Sequence, residues 1–241
     1  MLEVKNVIKN YHGKRVVDGL SFSVDKGQIL GMVGANGAGK STCVSMIATL
    51  IRPDGGTILY NGEDIVSNPR AIRSKMGFVP QDIALYETLS GMDNLRFWGK
   101  EYGVEAAGLD AAIERVCRII SFDRDMLKKR VSEYSGGMKR RLNIGVALLH
   151  EPELVVLDEP TTGIDIQSGS QILDAIGNLR RQGTAVVYVG HYMEEVERIS
   201  THICVMDGGR CRAFGSKEEL LETPEGRITL AELYTRLCGQ Q

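Results

Sequence analysis

The sequence predicts an α/β fold with a mainly parallel central sheet, and two observations support this class. Short apolar runs at residues 28–33, 154–157 and 185–189 have the composition of buried parallel strands. A stretch with helical character follows each run, as in proteins built from β/α units. We therefore expect an α/β core with an antiparallel, strand-rich subdomain at its N-terminal side and a helical insertion at about residues 85–150.

Local patterns predict the remaining elements. Residues 2–7 and 20–24 alternate between apolar and polar, which is typical of half-buried strands. The other expected elements are a helix at about 39–50, strands at 57–60 and 77–79, helices from about 93 to 149, a hairpin at 203–214 and short helices at 216–241. We expect residues 1–222 to form one domain and residues 223–241 to form a short helical tail.

Composition and charge narrow the classes of function. The chain has 241 residues, of which 43% are hydrophobic, enough for a substantial core. Its formal net charge is -2, which does not favour nucleic acid as a partner. No apolar run approaches the ~18 residues that span a bilayer, and the N-terminus lacks the apolar segment of a signal peptide. We expect a cytoplasmic protein, so that any membrane-spanning part must belong to another chain.

The five cysteines are widely spaced and form no C-x-x-C pair. This spacing fits reduced thiols in the cytosol and does not fit a disulfide framework or a zinc site. Cys43 follows a glycine-rich loop, where a reactive thiol is one interpretation. A small residue packed on a helix is the favoured interpretation.

Residues 34–41 satisfy the phosphate-loop pattern G-x-x-x-x-G-K-[ST], between an apolar strand and a helix. Glycines let backbone N–H groups turn toward phosphate oxygens, and the helix N-terminus adds positive charge. We expect Lys40 to reach the β- and γ-phosphates of a bound nucleotide, Ser41 to bind Mg²⁺, and Thr42 to lie nearer the α-phosphate. The residues expected to bind nucleotide here are Gly34, Asn36, Gly37, Ala38, Gly39, Lys40, Ser41 and Thr42.

A second pattern places two carboxylates after the apolar run at 154–157. The strand would deliver Asp158 and Glu159 to the crevice where α/β sheets bind ligands. We expect Asp158 to hold Mg²⁺. Glu159 is the candidate general base for the water that attacks the γ-phosphate. An acidic turn without a function would be the safer interpretation of this pair alone, but the phosphate loop makes it unfavourable.

The segment Tyr134-Ser135-Gly136-Gly137-Met138 lies between these two motifs. With the three motifs in this order, residues 2–222 resemble the ATP-binding cassette (ABC) ATPases, a branch of the P-loop NTPases. The family usually has Leu-Ser-Gly-Gly-Gln in this signature, so Tyr134 and Met138 depart from its pattern. The resemblance implies that Ser135, Gly136 and Gly137 bind the ATP held by a second cassette.

The resemblance also implies roles for four other residues. Tyr11 would stack on adenine, with a simple strand-end tyrosine as the alternative. Gln81 would touch Mg²⁺ or the attacking water, and Asp165 lies in the loop that crosses between subunits. His191 would contact the γ-phosphate as the switch histidine. The residues expected to act in catalysis are Glu159, His191, Gln81 and Lys40, and those expected at the metal are Ser41, Gln81 and Asp158.

The function implied by the resemblance is that of an ATPase subunit of an ABC transporter, at the cytoplasmic face of a membrane. The partners would be a second cassette, identical or not, and transmembrane permease subunits. Met138 and residues 192–195 resemble the ABC-2-type exporter branch. A non-transport ABC ATPase, such as an iron–sulfur assembly ATPase, is the alternative; a P-loop kinase or GTPase explains neither the signature nor His191.

Two groups of residues allow more than one interpretation. The runs at 128–130 and 139–141 are basic, but they are short, and we expect an exposed helical region and a solvated helix face. Apolar and aromatic residues between Gln81 and the signature would either receive a helix of the membrane subunit or pack within the insertion. They are Leu85, Tyr86, Leu89, Phe97, Trp98 and Tyr102. Gly190 replaces the more usual Thr or Ser, and we expect little consequence.

Overall fold

The computed structural model of the chain describes residues 1–224 and 226–239. Its strands, in chain order, are β1 (Leu2–Tyr11), β2 (Lys14–Val24), β3 (Ile29–Gly34), β4 (Gly55–Tyr60), β5 (Glu63–Asp64), β6 (Met76–Val79), β7 (Leu154–Asp158), β8 (Ala185–Val189), β9 (His202–Asp207), β10 (Arg210–Ser216), β11 (Glu222–Thr223) and β12 (Gly226–Arg227). Its α-helices are α1 (Lys40–Ile47), α2 (Arg70–Arg73), α3 (Gly91–Glu101), α4 (Ala106–Ile119), α5 (Gly136–Ala147), α6 (Ile166–Arg181), α7 (Met193–Ile199), α8 (Lys217–Leu221) and α9 (Leu230–Cys238). Short 3₁₀ helices at Arg124–Lys128 and Val131–Glu133 lie between α4 and α5.

The central sheet has the strand order β10-β9-β3-β8-β7-β6. Its strands from β9 to β6 are parallel, and β10 pairs antiparallel with β9. The predicted α/β class with a mainly parallel sheet is confirmed. Because parallel strands end at the same edge, the segments that follow β3, β7 and β8 lie close together at the carboxyl end of the sheet.

The core lies on both faces of this sheet. Alternate residues of β7 point to opposite faces, with Val155 and Leu157 on one and Leu154 and Val156 on the other. The first face is covered by apolar residues of α4, α5 and α6, and the second by those of α1, β1 and β2. Burial on both faces explains why β7 and β8 are continuous apolar runs in the sequence.

The predicted antiparallel subdomain is a four-stranded sheet in the order β2-β1-β4-β5. Strand β1 is longer than the predicted 2–7 and continues to Tyr11. Its pairing with β2 shifts register between Val4 and Lys9, and Asn6 has a φ of 48°. These irregularities break the simple alternation of apolar residues, so the sequence pattern ended too early.

The predicted helical insertion contains α3, α4 and α5. Ser90 begins α3 as its N-cap, with its side chain accepting a hydrogen bond from the Asp93 N–H at 3.0 Å. Buried Leu95, Val116 and Leu142 come from the three helices and join one hydrophobic cluster, which packs the insertion onto the central sheet. In the part of the chain that the structure describes, no helix is both long enough and apolar enough to cross a membrane.

The C-terminal region differs from the predicted run of short helices. The two-residue strands β11 and β12, between α8 and α9, pair antiparallel, and Thr223 Oγ1 donates to the Gly226 carbonyl oxygen at 2.7 Å. Leu230 and Leu233 of α9 belong to the main core cluster. Residues 225, 240 and 241 of the predicted tail lie outside the described residues, and the domain boundary at 222 stays a prediction.

Candidate active site

The phosphate loop connects β3 to α1 and has the backbone shape that its glycines allow. Gly37 and Gly39 have φ values of 80° and 97°, in the left-handed region that favours glycine. A Cβ atom at Gly39 would lie 2.7 Å from the carbonyl oxygen of Val16. The loop therefore turns tightly against β2, in the kind of backbone conformation that lets N–H groups point toward a bound phosphate.

Lys40 is the first residue of α1, and its side chain is only 6% exposed. Its Nζ donates to the carbonyl oxygens of Gly34 at 2.7 Å and Ala35 at 3.1 Å. Burial lowers the pKa of Lys40, while the nearby carboxylates of Glu159 and Asp158 act in the opposite direction. The ammonium group is thus held directly beside the loop, in reach of any anion that binds there.

The turn between β9 and β10 supports the phosphate loop from behind. A Cβ atom at Gly34 would collide with the Met206 carbonyl oxygen, and the Gly209 N–H donates to the Ala38 carbonyl oxygen at 3.2 Å. The Asp18 N–H in turn donates to the Gly209 carbonyl oxygen at 2.9 Å. The sequence predicted this hairpin but not its contact with the loop, because the contact joins residues far apart in the chain.

Ser41 and Asp158 present the oxygens that Mg²⁺ prefers in proteins. Ser41 Oγ lies 3.4 Å from Asp158 Oδ1, a long distance for a hydrogen bond of this kind. Burial is the largest effect on Asp158 and raises the pKa of its carboxyl group, against the effects of Ser41, Lys40 and Arg140. A hydroxyl and a buried carboxylate at this distance fit a cation that nucleotide phosphates help to bind.

Glu159 follows β7 in a conformation that is unusual for a residue with a side chain. Its φ is 49°, and its N–H donates to the Val189 carbonyl oxygen at 2.9 Å. Its Oε2 accepts hydrogen bonds from Gln81 Nε2 and Thr162 Oγ1, both at 3.2 Å. Strained backbone of this kind persists where the surroundings fix it, often at functional sites.

These segments border one open cleft of about 490 Å³, within the size range of ligand pockets. His191, just past β8, lies on its wall, with its ring 5.4 Å from the ring of Tyr192. The residues that line the cleft are Val16, Asn36, Gly37, Gly39, Lys40, Ser41, Thr42, Gln81, Glu159, Thr162 and His191. The structure thus brings the four candidate catalytic residues together, although their roles stay predictions.

Other candidates lie outside this lining. Gly34, Ala38 and Asp158 support it from below, at the ends of β3 and β7 and in the loop itself. Tyr11 is 41% exposed at the end of β1, with the Lys9 ammonium 5.6 Å from the centre of its ring. An exposed ring is available for stacking, but the described cleft does not reach it, so its adenine role stays a prediction.

The signature turn, residues 134–138, also lies outside the cleft and begins α5. Ser135 is the N-cap, and its Oγ accepts a hydrogen bond from the Met138 N–H at 3.3 Å. A Cβ atom would meet nothing within 4 Å at Gly136 but would collide with Ser168 Oγ at Gly137. Asp165, the N-cap of α6, accepts from the Ser168 N–H at 2.9 Å, a bond that lowers the pKa of Asp165. The signature and Asp165 are therefore close neighbours of one another.

The expected solvated helix face at 139–141 is wrong. Arg140 is buried and donates to the carbonyl oxygens of Pro80 at 3.0 Å and Gln81 at 2.6 Å. Arg141 donates to the Ser121 carbonyl oxygen at 2.7 Å. A short basic run looks exposed in a sequence because burying charge is costly, but here backbone carbonyls compensate for the burial. Arg140 thereby fixes the backbone that carries Gln81.

The cysteine and aromatic residues have clear structural surroundings. Cys43 is buried, and burial raises the pKa of its thiol to about 12, as expected for a packed, unreactive residue. Tyr86 and Phe97 are exposed, with ring centres 5.1 Å apart. Trp98 and Tyr102 pack against the core. The aromatic residues between Gln81 and the signature thus divide into two sets, one packed against the core and one exposed at the surface.

The identity of the protein follows from this geometry and from its similarity to known families. A sequence profile described as ABC transporter matches residues 17–162, including the phosphate loop, the signature and both acidic residues. The chain belongs to the ABC transporter family, and it is an ATPase of that family.

Two relatives show which members of the family the chain is similar to. The chain is 44% identical to the linearmycin resistance ATP-binding protein LnrL of Bacillus subtilis, over 91% of this chain and 70% of that protein. It is 39% identical to the daunorubicin resistance ATP-binding protein DrrA3 of Streptomyces coeruleorubidus, over 99% of this chain and 75% of that protein. The expected resemblance to ATP-binding subunits of the ABC-2-type exporter branch is confirmed.

Solved structures agree on the fold. The structure of an ATP-binding subunit of an ABC transporter has a TM-score of 0.88 and 29% identity, covering 98% of this chain and 99% of that one. A dimeric, post-hydrolysis state of the ATP-binding cassette MJ0796, bound to ADP and Pi, has a TM-score of 0.82. It covers 90% of this chain and 99% of that one at 21% identity, and therefore shows the fold alone.

Proposed function

We propose that the chain is the ATP-hydrolysing subunit of an exporter, and that two cassettes close head to tail around two Mg-ATP. The observation that carries this proposal is the division of the site. One chain provides a cleft with Lys40, Glu159 and His191, while Ser135 and Gly136 lie outside it. A second cassette would bring its signature to the open side of the cleft.

The residues of the cleft support hydrolysis of ATP. Lys40 would exchange its bonds to the loop carbonyls for bonds to phosphate oxygens. Glu159, oriented by Gln81 and Thr162, would take the proton of the attacking water. Magnesium, held by ATP with Ser41 and Asp158, would neutralise the phosphate charge.

Closure and reopening of the dimer would drive separate transmembrane subunits at the cytoplasmic face of the membrane. Two relatives are named for resistance to linearmycin and to daunorubicin, which supports export of a drug-like compound as the process. Tyr86 and Phe97 provide exposed aromatic surface on the helical insertion, where a helix of the membrane subunit would bind.

The proposal is tested by Glu159→Gln. This change keeps the size of the side chain and removes its basic carboxylate. We expect ATP binding to remain and turnover to fall by about 10²–10⁴-fold, the range for a positioned base. The ATP-bound dimer should then accumulate, which size-exclusion chromatography with ATP and Mg²⁺ measures. Glu218→Gln, an exposed position on α8, is the matched control and should behave as the wild type. A Glu159→Gln variant that hydrolyses ATP normally, or stays monomeric with ATP, would contradict the proposal.

A further inference from the structure

Glu195 is the centre of a hydrogen-bonded group that the proposed chemistry does not use. Its Oε2 accepts a hydrogen bond from Thr161 Oγ1 at 2.5 Å and from the Tyr188 hydroxyl at 3.1 Å. The two hydroxyl oxygens are 3.2 Å apart. One carboxylate oxygen thus binds two side chains from different segments of the protein, and bonds to a charged acceptor are the stronger kind.

The donors of this group are buried. Tyr188 is 0% exposed near the C-terminal end of β8, and Thr161 is 4% exposed. Burial is the largest effect on Tyr188 and raises the pKa of its hydroxyl, so that it keeps its proton and stays a donor. In a low-dielectric interior these hydrogen bonds are strong, and removing one partner leaves an unpaired polar group.

The three residues of this group flank two different parts of the active site. Thr161 lies two residues after Glu159 and directly before Thr162, whose hydroxyl bonds to the Glu159 carboxylate. Tyr188 precedes His191 by three residues, and Glu195 follows it by four. The carboxylate therefore connects the segment of the general base with both sides of the segment of the histidine.

Close packing supports the same connection. A Cβ atom at Gly190 would collide with Val196 and lie 2.7 Å from Cε1 of Tyr188. The glycine, which replaces the more usual Thr or Ser, leaves the room that the Tyr188 ring needs beside α7. The absence of a side chain at Gly190 therefore lets the Tyr188 ring and Val196 of α7 pack closely just past the end of β8.

We propose that Glu195 is a positioning residue for ATP hydrolysis, which fixes Glu159 and His191 relative to one another by binding Thr161 and Tyr188. This inference rests on the proposed function. Glu195 touches neither nucleotide nor water in this role. Its effect is on geometry, and displacing a catalytic group by a fraction of an ångström reduces the rate without removing the binding site.

The test compares Thr161→Val with Thr161→Ser. Valine keeps the shape and removes the hydroxyl, whereas serine keeps the hydroxyl. We expect Thr161→Val to lower kcat by about 10- to 100-fold with little change in the KM for ATP, and Thr161→Ser to restore most of kcat. Glu195→Ala should have a similar effect, and combining it with Thr161→Val should cost no more than the stronger single change, because the two act as a unit.

The control is Thr201→Val. It removes a hydroxyl that bonds to the backbone of Ile29 at the start of β3, at the end of the strands away from the cleft. It should lower the melting temperature by a similar amount and leave kcat unchanged. The inference would be overturned if Thr161→Val and Thr201→Val had the same kcat. It would also be overturned if the losses of kcat from Thr161→Val and Glu195→Ala added up in the double variant. In both cases Glu159→Gln would still be inactive, so the proposed function would stand. Loss of the proposed function itself would appear differently, as a wild type without ATP turnover.

Discussion

The cleft and the signature turn differ in how the chain satisfies their polar groups. In the cleft and directly beneath it, burial acts against the charged forms of Lys40 and Asp158, lowering the pKa of the first and raising the pKa of the second. In the signature turn, Ser135 caps α5 and Tyr134 donates to a backbone carbonyl oxygen at 2.7 Å. One region holds charges at a cost to stability, and the other contains ordinary stabilising contacts.

This difference suggests separate roles for the two regions in the proposed site: the cleft binds the nucleotide, and the signature turn contacts it from a second chain. Buried charges that lack full compensation within the protein are typical of functional sites, where a bound ligand supplies the opposite charge. The open position at Gly136 offers surface that another molecule can approach. Changes in the cleft should therefore alter stability and chemistry together, whereas changes at the open signature surface should affect only assembly.

Among changes that separate the cleft from the signature turn, the largest expected effect is that of Gly136→Arg on ATPase activity. A side chain at Gly136 meets nothing within 4 Å in the same chain, so the fold should tolerate arginine. Across a closed dimer it would obstruct the partner. We expect turnover to fall by about 100-fold or more, as when transition-state donors are lost, with unchanged nucleotide binding to the monomer. Steady-state ATPase rates and binding of a fluorescent ATP analogue measure the two quantities.

The control for this variant is Gly108→Arg, at an exposed helical glycine of α4 that also has open space around its Cβ position. It should leave ATPase activity unchanged. Gly136→Arg is a cleaner test than a change at Ser135, which would also remove a helix cap worth about 1 kcal/mol, or at Gly137, where the fold itself has no room. Normal turnover in Gly136→Arg would show that the signature does not act across subunits.

The features predicted from sequence were those encoded in short segments. The phosphate loop requires adjacent glycines and Lys40, and the apolar runs of β7 and β8 record burial on both faces. The missed features join distant segments, such as the support of the loop by Gly209 and the binding of Glu159 by Thr162. The burial of Arg140 is not visible in the sequence, because its neighbours along the chain are basic while its partners are carbonyl groups of another segment.

The second prediction concerns the stability of the fold at Asp158, beneath the cleft. Because burial raises the pKa of Asp158, the folded state favours the protonated carboxyl group. Protonated Asp158 therefore stabilises the fold below its unfolded pKa of about 4. This stabilisation is lost as the pH rises through the pKa of Asp158 in the folded state. Asp158→Asn removes this charge. We expect the variant to be more stable than the wild type at neutral pH, and nearly equal to it in acid.

Urea unfolding at about pH 4 and about pH 7.5 measures this difference for the two proteins without nucleotide. The same variant should lose ATPase activity, which is the common exchange between stability and function at an active site. Asp110→Asn, at an exposed position on α4, provides a control that should not gain stability. A neutral-pH stability equal to that of the wild type would remove the contrast between the cleft and the signature.

The smallest expected effect is that of Tyr134→Phe in the signature turn. Tyr134 is buried, with its ring 5.5 Å from that of Phe122, and its hydroxyl donates to the Met126 carbonyl oxygen. Removing the hydroxyl should lower the free energy of unfolding by about 1 kcal/mol and leave ATPase activity intact. Because burial raises the pKa of Tyr134 to about 12, the loss should be the same from about pH 6 to pH 9. Tyr234→Phe, at a half-buried tyrosine of α9, is the comparison variant. A loss of turnover in Tyr134→Phe would instead mean that this hydroxyl, which departs from the family pattern, contributes to the reaction.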